Sequence, residues 1–118
     1  MIAITINGRL TADPQLSEAG CCNFTVAANN SKMIDGSPQT IFFDVTVWGK
    51  RGETMARLLH KGDGVCVTGE LWTNPWKDRN GADRISHKIN AAQVDFTGKA
   101  GGAPKNNSDD DDDKEIFG

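Results

Sequence analysis

Hydrophobic alternation with a period of two governs this chain. Ile2, Ile4 and Ile6 alternate with Ala3, Thr5 and Asn7. Residues two apart on a strand share a face, so this opening segment buries one side only as part of a sheet. Short β-branched runs bounded by turn residues recur along the chain and indicate an all-β core. The Ala12-Asp13-Pro14 break ends the first strand, because proline brings no ladder donor. Phe24, Val26 and Ala28, alternating with Asn23, Thr25 and Ala27, form the second. Residues 29–39, rich in Gly, Pro, Ser and Asn, read as an exposed loop.

The run from Thr40 to Gly49 reads as a third strand with two unlike faces. Phe43, Val45 and Val47 form an apolar set for the core, whereas Phe42, Asp44, Thr46 and Trp48 place two large aromatics among polar groups. Residues 51–60 break the alternation. Met55, Leu58 and Leu59 fall at i, i+3 and i+4, so a short helix lays that stripe on the sheet, and Lys61-Gly62-Asp63-Gly64 stops it. A fourth strand runs from Val65 to Trp72, with Val65, Val67 and Leu71 inward and Trp72 outward. Asn74 to Gly81 reads as a hairpin loop that sets Trp76 beside Lys77 and Arg79 and holds an Asn-Gly turn signal. In the last strand, Asp83 to Phe96, Ile85 and Ile89 point inward. The phase then shifts at Ala91-Ala92, making Val94 and Phe96 the buried pair, as a β-bulge would produce.

The net charge of −3 has the wrong sign for a nucleic-acid binder until it is divided along the chain. Residues 1–100 carry 11 Lys/Arg and 10 Asp/Glu; residues 101–118 carry 2 and 6. From Gly98 onward the only large apolar residues are Ile116 and Phe117, too few to offset the entropy of ordering. The expectation is a folded domain over residues 1–97 and a disordered acidic C-terminal tail over 98–118. At 118 residues and 37% hydrophobic content, the chain builds one core. No window approaches the eighteen or so apolar residues of a membrane span, and the alternating start is unlike an export signal, which together point to the cytoplasm. Cys21, Cys22 and Cys66 make an odd set without Cys-x-x-Cys spacing. His60 and His87 stand apart without ligand spacing, so no disulfide framework, metal or cofactor is indicated.

Strand, strand, strand, helix, strand, strand is the order of the OB-fold, a partly open five-stranded barrel whose exposed face and loops bind oligonucleotides or sugars. Several runs resemble bacterial single-stranded DNA-binding proteins: Asn7-Gly8-Arg9-Leu10 followed by Asp13-Pro14, Phe24-Thr25-Val26-Ala27, and Val47-Trp48-Gly49-Lys50. The strongest run is Lys61-Gly62-Asp63 through Val67-Thr68-Gly69-Glu70-Leu71, continuing to Trp76, Asp78, Gly81 and Asp83-Arg84. The resemblance spans residues 1–97 and extends to the acidic tail. It implies that Phe42, Trp48 and Trp76 occupy DNA-stacking positions. It also implies a homotetramer, with a dimer as the alternative. The tail, Asp109, Asp110, Asp111, Asp112, Asp113, Glu115, Ile116 and Phe117, resembles a docking tip for basic pockets of replication, recombination and repair proteins. Two departures stand out. Ser31-Lys32-Met33 replaces a further tryptophan, for which Trp72 compensates, and Gly118 separates the terminal carboxylate from the Phe117 ring.

The chemistry behind this reading is general. Stacking an unpaired base on an aromatic side chain is worth about 1–3 kcal/mol without regard to sequence. Arg9, Lys32, Lys50, Arg51, Lys77, Arg79, Arg84 and Lys88 are the candidate phosphate contacts, each weighed against a merely solvated charge. Phe42 and Trp48 have packing in a subunit interface as their competing role. Nucleotide-loop, nucleophile-elbow and paired-histidine motifs are absent, so no enzyme is expected. The expected function is sequence-tolerant binding and protection of single-stranded DNA in replication, recombination and repair, in a nucleoid or a phage-infected cell. The alternative is an OB-fold accessory adaptor of a replication-restart or recombination complex with weak DNA affinity.

Overall fold

A computed structural model describes residues 1–99. The strands are β1 (Ala3–Leu10), β2 (Gln15–Leu16), β3 (Cys21–Ile34), β4 (Ser37–Trp48), β5 (Gly64–Lys77) and β6 (Asp83–Gly98), and the helix α1 (Gly49–Leu58) joins β4 to β5. They form one sheet in the order β1-β5-β6-β4-β3-β2. Because β1 also pairs with β3 through Arg9 and Leu10, the sheet curls back on itself. The β4–β6 ladder is parallel and the others are antiparallel. Apart from the two-residue β2 on the edge of β3, this is the five-strand order and single helix of the OB-fold.

The alternation read from the sequence supplies the interior. Ile6, Leu10, Phe24, Val26, Phe43, Val45, Val47, Val65, Val67 and Ile89 form one buried cluster, and Leu59 closes it beneath the helix. Burial deepens from the N-terminus into β1: Ile2, just before the strand, is exposed, Ile4 is half-buried and Ile6 is buried. The three cysteines are free, with Cys21 and Cys22 buried and Cys66 half-buried. Burial, and then the neighbouring Cys21, push the Cys22 thiol up from its ordinary value, which makes it a poor nucleophile.

Five expectations are corrected. Residues 29–39 are not a loop: β3 runs to Ile34 and β4 starts at Ser37, a two-stranded ribbon beyond the curled sheet. Its tip, Asp35 (φ 51°) and Gly36 (φ 84°), is the Asp-Gly pair that a tight hairpin with two left-handed residues requires. Residues 74–77 are likewise strand, so Trp76 lies on β5 rather than in a loop. The helix starts at Gly49 and turns Gly52, Met55 and Ala56 toward the core, with Leu59 entering it from the extended residue just after the helix, while Leu58 stays exposed. Ile85 and Phe96 are exposed as well. The cause is topological: β4 covers β6 only from His87 to Asn90, so both ends of β6 have β5 as their one ladder partner.

The slip at Ala91-Ala92 is present. Thr68 pairs with Gln93 and Gly69 with Ala91, leaving Ala92 as the extra residue. The bulge brings backbones close together, since a Cβ on Gly69 would lie 2.2 Å from the Asn90 carbonyl oxygen. Only glycine fits there.

Candidate nucleic-acid interface

Residues paired across a ladder share a face. The outward residues of β3, β4, β6 and β5 therefore line up in cross-strand rows. One row reads Thr25, Asp44, Lys88 and Trp72; the next reads Asn23, Thr46, Asn90 and Glu70. On the same face Phe42 and Trp48 flank Asp44 and Thr46 along β4, and Trp76 pairs with Arg84 two same-face steps beyond Trp72 on the β5–β6 arm, past Asn74 and Ser86. Phe42, Trp48, Trp72 and Trp76 are 57, 57, 54 and 47% exposed. Four large aromatics presented to solvent on one polar face are out of proportion to ordinary surface.

Between two of them the surface is concave. Trp48, Trp72, Thr46, Lys88, Ile89 and Asn90 line a shallow cleft of about 140 Å³. Trp48 ends β4, and α1 follows directly, anchored where the Gly49 N–H donates to the Gly20 carbonyl at 3.1 Å. This holds the Trp48 backbone at the junction of strand and helix. Polar cross-strand bonds stiffen the floor: Thr25 Oγ1 donates to Asp44 Oδ1 at 3.0 Å, and Thr46 Oγ1 donates to Asn23 Oδ1 at 2.8 Å.

The cations divide by what they already hold. Lys88 lies in the face, its Nζ 3.8 Å from Asp44 Oδ2. Arg84 also lies in the face and donates from Nε to Asp78 Oδ2 at 3.0 Å. That bond, with N–H donors from Ala82 and Asn80, holds the Asp78 carboxyl below its ordinary range and fixes the hairpin turn. Arg9 joins the face through the row Arg9, Ala27, Phe42 while donating to the Gly62 carbonyl at 2.9 Å. Lys50 in the first turn of α1, Arg79 at the hairpin tip and Lys32 on the β3–β4 arm have side chains with no hydrogen bond or ion pair among the described residues. Two candidates are otherwise engaged. Lys77 alternates to the face opposite Trp76 and pairs with Asp83 at 2.7 Å. Arg51 donates from Nη1 to the carbonyl of the bulged Ala92.

The model of the single-strand binding protein family matches residues 1–97. The chain belongs to that family. A relative from Treponema pallidum, a single-stranded DNA-binding protein, is 36% identical over 109 residues that cover 86% of this chain and 61% of the relative. Single-stranded DNA-binding protein 1 of Clostridium acetobutylicum is 32% identical over 102 residues, covering 81% of this chain and 93% of its own length. Among solved structures, a small single-stranded DNA-binding protein from Streptomyces coelicolor superposes with a TM-score of 0.67 at 22% identity, over 81% of this chain and 94% of the other. That likeness concerns the fold.

For this single-strand binding family member, the sequence placed Phe42, Trp48 and Trp72 on the outward face, and strand pairing adds Trp76, a loop residue by sequence alone. The sequence missed Asn23 and Thr25, which reach the face only through their pairing with β4. No local signal could have shown this, because both look like ordinary alternating polar residues. The tail residues Asp109 to Asp113, Glu115, Ile116 and Phe117 lie outside the described residues.

Proposed function

We propose that this chain binds single-stranded DNA with little regard to sequence, stacking bases on Phe42, Trp48, Trp72 and Trp76 while cations at the margins take the phosphates. The observation that carries this reading is the set of four half-exposed aromatics on one polar face. Unpaired bases offer π-faces that duplex DNA hides, so such a face favours single strands. Lys50, Arg79, Lys32, Arg84 and Arg9 are the phosphate contacts, Lys88 contacts the strand from within the face, and Arg51 and Lys77 serve the fold instead. The protein works by binding and protection in replication, recombination and repair, without turnover, in the cytoplasm.

Residues 1–97 form the DNA-binding domain, and the acidic residues near the C-terminus, Asp109 to Phe117, recruit basic partner proteins. The working form is a homotetramer. Its support is the open edge of β1, which pairs with β3 only at Arg9 and Leu10, together with exposed Ile2 beside it.

Titrating intrinsic tryptophan fluorescence with oligothymidylate at two salt concentrations tests the reading. Quenching is expected, with affinity falling at a slope of about −0.7 per phosphate neutralised and duplex binding far more weakly. Equal affinity for duplex, or no quenching at saturation, would refute it. Labelled strand recovered intact after incubation is the expected result for a non-enzymatic binder.

A further inference from the structure

The face proposed for DNA carries a carboxylate near its centre. Asp44 stands in the row Thr25, Asp44, Lys88, Trp72, with Phe42 as its next same-face neighbour along β4. A negative side chain repels the phosphates of a bound strand, so here it works against non-specific affinity. Phosphates must therefore pass over the marginal cations, and what faces Asp44 is a base edge. Same-face neighbours along a strand are about 7 Å apart and adjacent strands about 5 Å apart. A base stacked on Phe42, or on Trp72 two strands away, has its edge within reach of Asp44.

The local bonds hold this carboxylate ready to accept. Thr25 Oγ1 donates to Oδ1 at 3.0 Å, which fixes the carboxylate plane. Lys88 Nζ stands 3.8 Å from Oδ2, beyond hydrogen-bond range, so lone pairs of Oδ2 remain open beside a cation. The side chain is about half exposed, with 48% of its surface open to solvent.

We propose that Asp44 and Lys88 form a base-reading subsite that prefers guanine, superimposing a base preference on otherwise sequence-tolerant binding; this rests on the single-strand reading above. Guanine presents two adjacent donors, N1–H and the N2 amino group, next to the O6 acceptor. Asp44 accepts from the donors and Lys88 donates to O6. Cytosine and adenine offer one exocyclic amino donor each to a carboxylate. Thymine offers a single N–H between two carbonyl oxygens, one of which must face the carboxylate unpaired.

The test compares alternating thymidine–guanosine and thymidine–inosine strands of equal length, titrated by tryptophan quenching against the full chain and its Asp44→Asn variant. Inosine keeps the ring and O6 and lacks only the N2 amino group. The full chain should bind the guanosine strand at least about five-fold more tightly, the low end of a bidentate base contact. In Asp44→Asn the preference should vanish while affinity for oligothymidylate rises, with an unchanged melting temperature confirming the fold. Equal binding of both strands by the full chain would overturn the subsite and leave the single-strand reading standing. A preference surviving in Asp44→Asn would overturn the assignment to Asp44. Failure to bind any single strand would bring down the underlying reading itself.

Discussion

Trp48 and Trp72, far apart in the chain and on strands that do not pair with each other, line the same cleft with Lys88 and Asn90 of β6 between them. Each should lose about 1–3 kcal/mol of single-strand affinity when changed to alanine. Because they flank one cleft, the double variant should lose less than the sum of the two single losses. A fluorescence-independent titration of all three variants measures the coupling, and strict additivity would assign the two rings to separate bases.

Lys50 and Arg51 are adjacent cations with different employment. Lys50 has no side-chain partner among the described residues, whereas Arg51 donates to the carbonyl at the β6 bulge. Lys50→Ala should lower the salt slope of binding by about 0.7, the loss of one neutralised phosphate. Arg51→Ala should leave the slope alone and lower the melting temperature. A reduced slope in Arg51→Ala would return that residue to the phosphate contacts.

Gly69 meets backbone rather than side chain. An added Cβ would lie 2.2 Å from the Asn90 oxygen and 2.9 Å from the Ala91 Cα, and neither can swing away. Gly69→Ala should cost about 1–3 kcal/mol or more in thermal or denaturant unfolding. Gly98, where an added Cβ meets nothing within 4 Å, is the matched control, and Gly98→Ala should be near neutral. Equal stability of the two variants would remove the bulge as a steric constraint.

Asp78 makes the β5–β6 turn sensitive to acid. Its carboxyl is held below the ordinary value of 3.8 by the Arg84 side chain first and by backbone N–H groups after it. A folded-state value below the unfolded one means stabilisation that is complete above pH 3.8 and lost as pH falls through the folded value. Asp78→Asn should therefore unfold more readily than the parent at neutral pH and converge with it in strong acid. Melting curves across pH 2 to 7 read the difference, and a gap that widens on acidification would contradict the sign.

Removing residues 109–118 deletes five aspartates, one glutamate, Ile116 and Phe117. An acidic segment competes with DNA for the protein's own cations, an effect screened by salt. The truncated chain should bind single strands as tightly or more tightly, most visibly at low salt, and lose capture of basic replication and repair partners in a pull-down. Weaker DNA binding, or undiminished capture, would dismiss the tail as a docking element.

The sequence by itself determined the all-β core and its inner face, because a period of two along a strand sorts each side chain to one side whatever that strand pairs with. It therefore placed Phe43, Val45 and Val47 inside, Phe42, Trp48 and Trp72 outside, and a bulge at Ala91-Ala92. Only tertiary structure decided where that sorting matters. Ile85 and Phe96 keep the correct phase and are exposed, since burial needs a second layer and β4 covers only the middle of β6. Residues 29–39 resembled a loop because a solvated ribbon has no apolar side to display. The rows that join Thr25 to Asp44, Lys88 and Trp72 exist only through strand pairing, which links residues by register across the sheet and leaves no mark in local sequence.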